Sequence, residues 1–162
     1  MNNQTISQPS VVSRMTEWLD VHEGQRVLEI GTGSGWQTAI LSFLVGSGQV
    51  YSIERDSNLV TFALANLSKL KITNVKVILG DGSFGLVEES PFDRIIITAA
   101  SKKIPLPLLD QLSIDGLIIA PVGDFISSLV LLKKTPNGIS EIKNETGYVF
   151  VPLLGKSDKD KY

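Results

Sequence analysis

An apolar strand pattern followed at once by three alternating glycines constrains this sequence more than any other feature. The run RVLEIG at 26–31 is rich in branched residues and leads into the glycines Gly31, Gly33 and Gly35. The stretch SGWQTAILSFLV at 34–45 then has apolar residues at helical spacing, namely Trp36, Ile40, Phe43 and Leu44. A second branched run, QVYSIE, occupies 49–54. The sequence predicts a strand–helix–strand unit whose glycine turn lets a ligand approach the backbone and the free N–H groups of the helix start.

The same alternation continues along the chain. Ser57 can cap a second helix. That helix has one apolar stripe, formed by Val60, Ala63, Leu67 and Leu70. The runs VKVIL at 75–79 and FDRIIIT at 92–98 predict strands, a helix opened by proline is predicted at 105–112, and GLIIAPVG at 116–123 predicts a fifth strand. Strands that alternate with helices predict an α/β fold with a mostly parallel sheet covered on both faces.

The last part of the chain has a different pattern. SSLVLLKK at 127–134 is followed by turn residues at 136–138 and later by GYVFVPLL at 147–154. Two apolar runs separated by turn residues are typical of a hairpin. We therefore expect antiparallel strands at the edge of the sheet.

Composition narrows the classes of function. With 162 residues, of which 43% are hydrophobic, the chain can bury one core of ordinary size. The net charge of −2 provides no basic field for nucleic acid or an anionic membrane. The absence of cysteine and the single His22 exclude thiol chemistry and a multi-histidine metal site. Because no leader and no apolar run near ~18–20 residues is seen, we expect a single-domain cytoplasmic protein without a metal.

Two acidic residues stand at the predicted ends of neighbouring strands. Glu54 ends the second strand, where a carboxylate can accept both hydroxyls of a ribose. Asp81 follows the third strand in GDGS, where it can take the amino group of an adenine. Taken alone, Glu54 is also explained as a solvated strand end and Asp81 as a turn or helix cap. Together with the glycine turn they predict a cofactor that contains adenosine.

The glycine spacing selects among such cofactors. A dinucleotide loop, G-x-G-x-x-G, would place its third glycine at position 36, where this sequence has Trp36. S-adenosylmethionine fits better, with its ribose on Glu54, its adenine near Asp81 and its methionine part over the glycine turn.

Motifs along nearly the whole chain resemble those of the protein-L-isoaspartate O-methyltransferases. They are QTISQP (4–9), VLEIGTGSG (27–35), VYSIERD (50–56), VILGDGS (77–83), PFDRIIITAA (91–100), APVG (120–123) and FVPL (150–153). The resemblance implies the Rossmann-like class I methyltransferase fold, a three-layer α/β/α arrangement with a seven-stranded, mostly parallel sheet and a reversed last strand. It also implies methyl transfer from S-adenosylmethionine to the α-carboxylate of isoaspartyl and D-aspartyl residues in damaged proteins, which begins repair through a succinimide.

The resemblance implies the site residues as well. In the family the serine of the TIS motif orients the substrate carboxylate, and this role carries over to Ser7. The implied cofactor-binding residues are Thr5, Ile6, Gly31, Thr32, Gly33, Ser34, Gly35, Glu54, Arg55, Asp81 and Gly82. The residues alone allow a second interpretation of Ser7, because Pro9 marks a first helical turn that a serine can cap. The two roles are compatible.

We expect residues 1–154 to form the methyltransferase domain, with the TIS segment at 1–9. The charged composition of residues 155–162 predicts a flexible tail. Family members usually carry a further N-terminal segment that covers the active site, and we expect its lack to weaken peptide recognition more than cofactor binding. Two alternatives stay open: a related methyltransferase with another acceptor, such as a small molecule or RNA, and a cofactor-binding paralogue with weakened catalysis.

Overall fold

A sheet of seven strands forms the centre of the computed structural model, which describes residues 8–155. The helices are α1 (Pro9–Leu19), α2 (Trp36–Val45), α3 (Ser57–Lys69) and α4 (Leu106–Asp110). The strands are β1 (Arg26–Ile30), β2 (Gln49–Glu54), β3 (Val75–Leu79), β4 (Phe92–Ile97), β5 (Leu112–Gly123), β6 (Ser127–Thr135) and β7 (Gly138–Tyr148). Two 3-10 turns, Gly82–Phe84 and Val87–Glu89, lie between β3 and β4.

The strand order is β3-β2-β1-β4-β5-β6-β7. The first five strands are parallel, β6 runs antiparallel to β5, and β7 runs antiparallel to β6, which confirms the mostly parallel α/β sheet. Ile30 at the end of β1 pairs with Ile53 of β2 and Ile97 of β4. The loops after these strands therefore meet at one edge, beside the point where the strand order reverses, which is where open α/β sheets bind ligands.

Alternate residues of the central strands enter two different cores. Leu28 of β1 belongs to the cluster that contains Leu108 of α4, whereas its neighbour Val27 belongs to the cluster that contains Leu41 of α2. Successive side chains on a strand point to opposite faces of the sheet. Glu29 therefore lies on the same face as Val27, beneath α2, and it is fully buried.

Helix α2 forms where it is predicted but buries a different face. The exposed members of the predicted apolar stripe are Trp36, Phe43 and Leu44. The buried residues are Gln37, Thr38, Ala39, Leu41, Ser42 and Val45. The hydroxyl of Thr38 donates to Glu29, and that of Ser42 donates to Asn74. Because buried polar groups with partners are tolerated, the apolar stripe predicted the helix but not its buried side.

One further prediction about helix ends is corrected. Ser57 does not cap α3, because Asp56 precedes the helix and its Oδ1 accepts the N–H of Asn58 at 2.8 Å. An aspartate at this position satisfies one of the free N–H groups of the first turn. At α1 the cap position is held by Gln8, without a side-chain hydrogen bond, and Ser7, the cap that the sequence allowed, lies outside the described residues.

The last strand is not the predicted run at 147–154. β6 and β7 are joined by a tight turn in which Thr135 pairs with Gly138, so the strand begins directly after the turn with polar residues. Its residues are mostly exposed, as an edge strand allows, and therefore lack an apolar signal. Residues 149–155 instead leave the sheet and cross the ends of the strands, where Ala100 donates its N–H to Val151 and accepts from Leu153.

No helix within residues 8–155 is both long and apolar enough to cross a membrane.

Candidate active site

A cavity of about 390 Å³ opens at the edge where the loops after β1, β2 and β4 meet. Its walls come from residues 31–34 of the glycine loop (residues 31–35), the end of β2, the start of α1 and the segment 147–154. The strand ends therefore form its floor, and the chain after β7 forms one side. This is the place that the topology of the sheet predicts for a ligand.

The glycines of the loop serve two different purposes. Gly31 has φ +96°, and a Cβ there would lie 2.3 Å from Oγ1 of Thr98. Gly33 has φ +54°, and a Cβ there would meet no protein atom within 4 Å. Gly31 is therefore required for packing within the protein. Gly33, which lines the cavity, leaves room for a ligand beside the backbone.

Two residues that the sequence did not single out hold the loop in place. Thr98, just after β4, has its Oγ1 2.8 Å from the carbonyl oxygen of Gly31 and 3.0 Å from that of Ile30. Asn66 of α3 donates from Nδ2 to the carbonyl oxygen of Ser34 at 3.0 Å. Only the assembled fold brings these two residues to the loop.

Glu54 is a buried carboxylate in the cavity wall, with 6% of its surface exposed. Its Oε2 accepts the N–H of Gly33 at 3.0 Å, and its Oε1 accepts those of Arg55 and Asp56 at 2.9 and 3.0 Å. The interpretation of Glu54 as a solvated strand end is therefore wrong. The side chain is held rigidly beside the glycine loop, where it can accept hydroxyl groups of a ligand.

Asp81 caps the 3-10 turn that follows β3. Its Oδ1 accepts the N–H of Ser83 at 3.0 Å and the hydroxyl of Ser83 at 2.7 Å. Its two neighbours, Gly80 and Gly82, line the cavity. The cap that the sequence allowed is confirmed, and the contact of Asp81 with an adenine stays a prediction.

Arg55 fastens the chain after β7 to the end of β2. Its Nη1 donates to the carbonyl oxygen of Leu154 at 3.0 Å, and both residues line the cavity. This contact joins positions 99 residues apart in the sequence. The wall formed by residues 149–154 is therefore set by long-range contacts.

Glu29 is a second buried carboxyl group, which the sequence did not single out. Its Oε2 accepts the hydroxyls of Thr38 and Ser52 at 2.5 Å each. Its Oε1 is buried and has no hydrogen-bond partner among residues 8–155. Burial raises the pKa of Glu29 from 4.5 to about 7, although both hydroxyls lower it, and the nearby Glu54 raises it further.

Most of the predicted cofactor residues gather around the one cavity. Those that line it are Gly31, Thr32, Gly33, Ser34, Glu54, Arg55 and Gly82. Gly35 stands directly before α2 and packs against Ala63 of α3. Thr5, Ile6 and Ser7 lie outside the described residues, so their roles stay predictions. His22 lies in an exposed loop beside Asp20, as expected for a surface residue.

The donor set fits an adenosine cofactor. A buried carboxylate that can accept ribose hydroxyls lies beside a glycine whose open side faces the cavity. Trp36 stands in the wall of the cavity and is 39% exposed. Within the described range, no group of three or more His, Cys, Asp or Glu side chains could hold a metal ion.

Replacing Glu54 by alanine is expected to weaken cofactor binding by about 10- to 100-fold, because hydrogen bonds to charged groups are worth roughly 1.5–3 kcal/mol. Titration calorimetry with S-adenosylhomocysteine measures the change. Glu88→Ala, on an exposed 3-10 turn outside the cavity, is the matched control and should bind normally. Unchanged affinity in Glu54→Ala would mean that the ribose lies elsewhere.

Comparisons with known proteins agree on one family. The family model described as Protein-L-isoaspartate(D-aspartate) O-methyltransferase matches residues 1–158. A protein-L-isoaspartate O-methyltransferase of Pyrococcus horikoshii is 48% identical over 155 residues, which cover 94% of this chain and 70% of that protein.

Solved structures give the same result. A protein-L-isoaspartate O-methyltransferase superposes with a TM-score of 0.88 at 32% identity, over 96% of this chain and 50% of its own length. A Plasmodium falciparum protein described as a protein-L-isoaspartate O-methyltransferase, solved with S-adenosyl-L-homocysteine, superposes with a TM-score of 0.81 at 28% identity. That match covers 95% of this chain and 78% of the other.

Proposed function

Since the chain belongs to the protein-L-isoaspartate(D-aspartate) O-methyltransferase family, we propose that it methylates the α-carboxylate of isoaspartyl and D-aspartyl residues in damaged proteins. The methyl donor is S-adenosylmethionine. The methyl ester then cyclises to a succinimide, whose hydrolysis returns part of the pool to aspartate. One observation carries the proposal: the cavity beside the glycine loop and Glu54 lies in a chain that the family model matches over residues 1–158.

Methyl transfer to a carboxylate needs little acid or base catalysis by the side chains of the protein. S-adenosylmethionine supplies a methyl group already activated by its sulfonium, and the acceptor is an ionised carboxylate. The residues of the chain therefore bind and align the reactants, with the loop backbone and Glu54 on the cofactor side. Alignment alone can lower a barrier by up to ~7–11 kcal/mol when the attack geometry is well set.

Ser7 is the residue that we propose for the substrate side. A hydroxyl beside the acceptor carboxylate can orient it by hydrogen bonding without becoming a covalent nucleophile. Gln8, the next residue, lines the cavity and holds the cap position of α1. This adjacency supports a role of Ser7 at the cavity mouth.

Ser7→Ala is expected to lower turnover by about 10- to 100-fold, because the lost hydrogen bond is to a charged group. Cofactor affinity and melting temperature should change little. Initial-rate kinetics with an isoaspartyl peptide give the turnover. Ser10→Ala, an exposed serine in the first turn of α1, is the matched control. A large loss of stability with normal turnover per folded molecule would assign Ser7 to a structural role.

The proposed partners are proteins and peptides that contain isoaspartyl residues. The net charge of −2 favours neither nucleic acid nor an anionic membrane as a partner. A cytoplasmic location is likewise our prediction from the sequence.

One assay tests the proposed function directly. The protein is incubated with labelled S-adenosylmethionine and either an isoaspartyl peptide or its normal aspartyl twin. Transfer to the isoaspartyl peptide alone is the expected result. Equal, background-level transfer to both peptides would overturn the proposed function. Calorimetry would then show whether the protein binds the cofactor without transferring its methyl group or does not bind the cofactor.

A further inference from the structure

A chain of buried hydroxyl groups connects Glu29 to the glycine loop. Ser52 of β2 donates its hydroxyl hydrogen to Glu29, and the oxygens of Ser52 and Thr32 are 2.6 Å apart. Glu29 and Ser52 are fully buried, and Thr32 is 3% exposed. Thr32 belongs to the glycine loop and lines the cavity. The carboxyl group is therefore two hydrogen bonds away from the surface that meets the cofactor.

The direction of the hydrogen bonds follows from the donors available. A serine hydroxyl group has one hydrogen to donate, and Ser52 donates it to Glu29. Thr32 must therefore be the donor to Ser52. Thr38, in the first turns of α2, gives its own hydrogen to the same oxygen of Glu29. Two hydroxyls, from β2 and from α2, thus donate directly to Oε2 of Glu29, and the hydroxyl of Thr32 in the glycine loop donates to Ser52.

We propose that Glu29 is a positioning residue of the cofactor site, which holds the glycine loop and the start of α2 through Ser52, Thr32 and Thr38. Within residues 8–155, the other side-chain hydrogen bonds of the loop are those that its carbonyls accept from Thr98 and Asn66 and the one that Gly33 donates to Glu54. Of these, the contact of Glu54 is with the backbone of Gly33, at the position that a ligand approaches. The Glu29 chain therefore fixes the loop from inside the protein, independently of the cofactor.

The surroundings of Glu29 suit an uncharged carboxyl group. β4 places Ile96 beside it, β2 places Ser52 and α2 places Thr38, none of which is charged. Glu54 is the charged group that acts on it, and it opposes ionisation. Oε1 of Glu29 has no hydrogen-bond partner among residues 8–155, so ionising this buried carboxyl group costs free energy. Glutamine has an uncharged amide of the same shape, so it can replace Glu29 and still provide an oxygen that accepts the hydroxyl hydrogens.

Glu29→Leu is expected to raise the dissociation constant for S-adenosylhomocysteine by about tenfold or more, because two buried hydroxyls lose their acceptor and the loop is released. Glu29→Gln retains an oxygen acceptor and should restore most of the affinity. Ser42→Ala is the matched control, since Ser42 lies farther along the same helix, away from the loop, and makes a partly buried hydrogen bond to Asn74. It should lower stability but bind normally.

Ser52→Ala gives a milder test if Glu29→Leu does not fold, and a rise in the dissociation constant of about threefold to tenfold is expected from loss of one link. The inference would be overturned if the affinity for S-adenosylhomocysteine stayed unchanged in Ser52→Ala and in folded Glu29→Leu. It would also be overturned if the affinity fell equally in Ser42→Ala. The inference rests on the proposed function for the identity of the cofactor. Failure of the unaltered protein to bind S-adenosylhomocysteine would count against that function, whereas normal binding by the variants would count against Glu29 alone.

Discussion

Replacing Gly31 by alanine should lower the free energy of unfolding by roughly 3 kcal/mol, because backbone strain and overpacking each cost about 1–3 kcal/mol. The φ of +96° is one that an alanine adopts only under strain, and the new Cβ would lie 2.3 Å from Oγ1 of Thr98. Thr98 cannot turn away freely, because its hydroxyl bonds the carbonyls at the end of β1. The loop or β4 must therefore shift.

Equilibrium unfolding in urea measures this loss, with Gly33→Ala as the matched control. Gly33 also has positive φ, at +54°, but a Cβ there would meet nothing within 4 Å. A cost of only about 1 kcal/mol is expected for it, since the strain is that of a left-handed residue without a clash. Its cofactor affinity should nevertheless fall, because the added methyl group stands in the cavity.

A double-mutant cycle separates the free-energy cost of the steric clash with Thr98 from the cost of the strained backbone at position 31. Gly31→Ala should be less damaging in a Thr98→Ala background, where the crowded hydroxyl is absent. The same cost in both backgrounds would show that contact with Thr98 is not the cause. Equal stability of Gly31→Ala and Gly33→Ala would contradict the packing role of Gly31.

Raising the pH from 4.5 to about 7 should lower the free energy of unfolding of the unaltered protein. The loss should be roughly 3 kcal/mol larger than the loss in Glu29→Gln over the same range. In the folded state burial raises the pKa of Glu29 to about 7, whereas in the unfolded chain it keeps its ordinary value of 4.5. Between these values the folded protein holds a proton that the unfolded chain has released. Rising pH therefore favours unfolding, and a glutamine that cannot ionise removes this dependence.

Urea unfolding of both proteins across this pH range gives the difference directly. Other groups contribute their own pH dependence, which cancels in the comparison because both proteins share them. Below pH 4.5, a comparison of the unaltered protein with Glu89→Gln should show the opposite sign, since the hydrogen bonds of Tyr51 and Lys76 lower the pKa of Glu89. The stability that Glu89 contributes is present above its ordinary pKa and is lost as the pH falls.

Parallel curves for the unaltered protein and Glu29→Gln would mean that the pKa of Glu29 is not raised in the folded state, so that the carboxyl group is ionised across this pH range. The buried carboxyl would then have a donor at Oε1, such as a bound water. Glu29→Gln would still be informative, because its amide would lose that contact and bring a constant loss of stability at every pH.

The strands and helices around the glycine loop could be predicted because their signals are local. The apolar runs of β1 and β2, the glycines between them and the helix pattern after them lie within thirty residues of one another. The predicted strand at 147–154 failed because β7 is an exposed edge with polar residues. Its start at Gly138 is set by the turn after Thr135, which the sequence did show.

The sequence by itself determined the alternation of strands and helices, the glycine loop, and the placement of Glu54 and Asp81 at strand ends, because these depend on periodicity and on neighbours in the chain. Only the tertiary structure decided which residues far apart in the chain bond to one another. Glu29 meets Ser52 across 23 positions in the core, and Arg55 meets Leu154 across 99 positions at the surface. Packing of distant segments brings these partners together, so the pairing of Glu29 with the glycine loop has no local signature in the sequence.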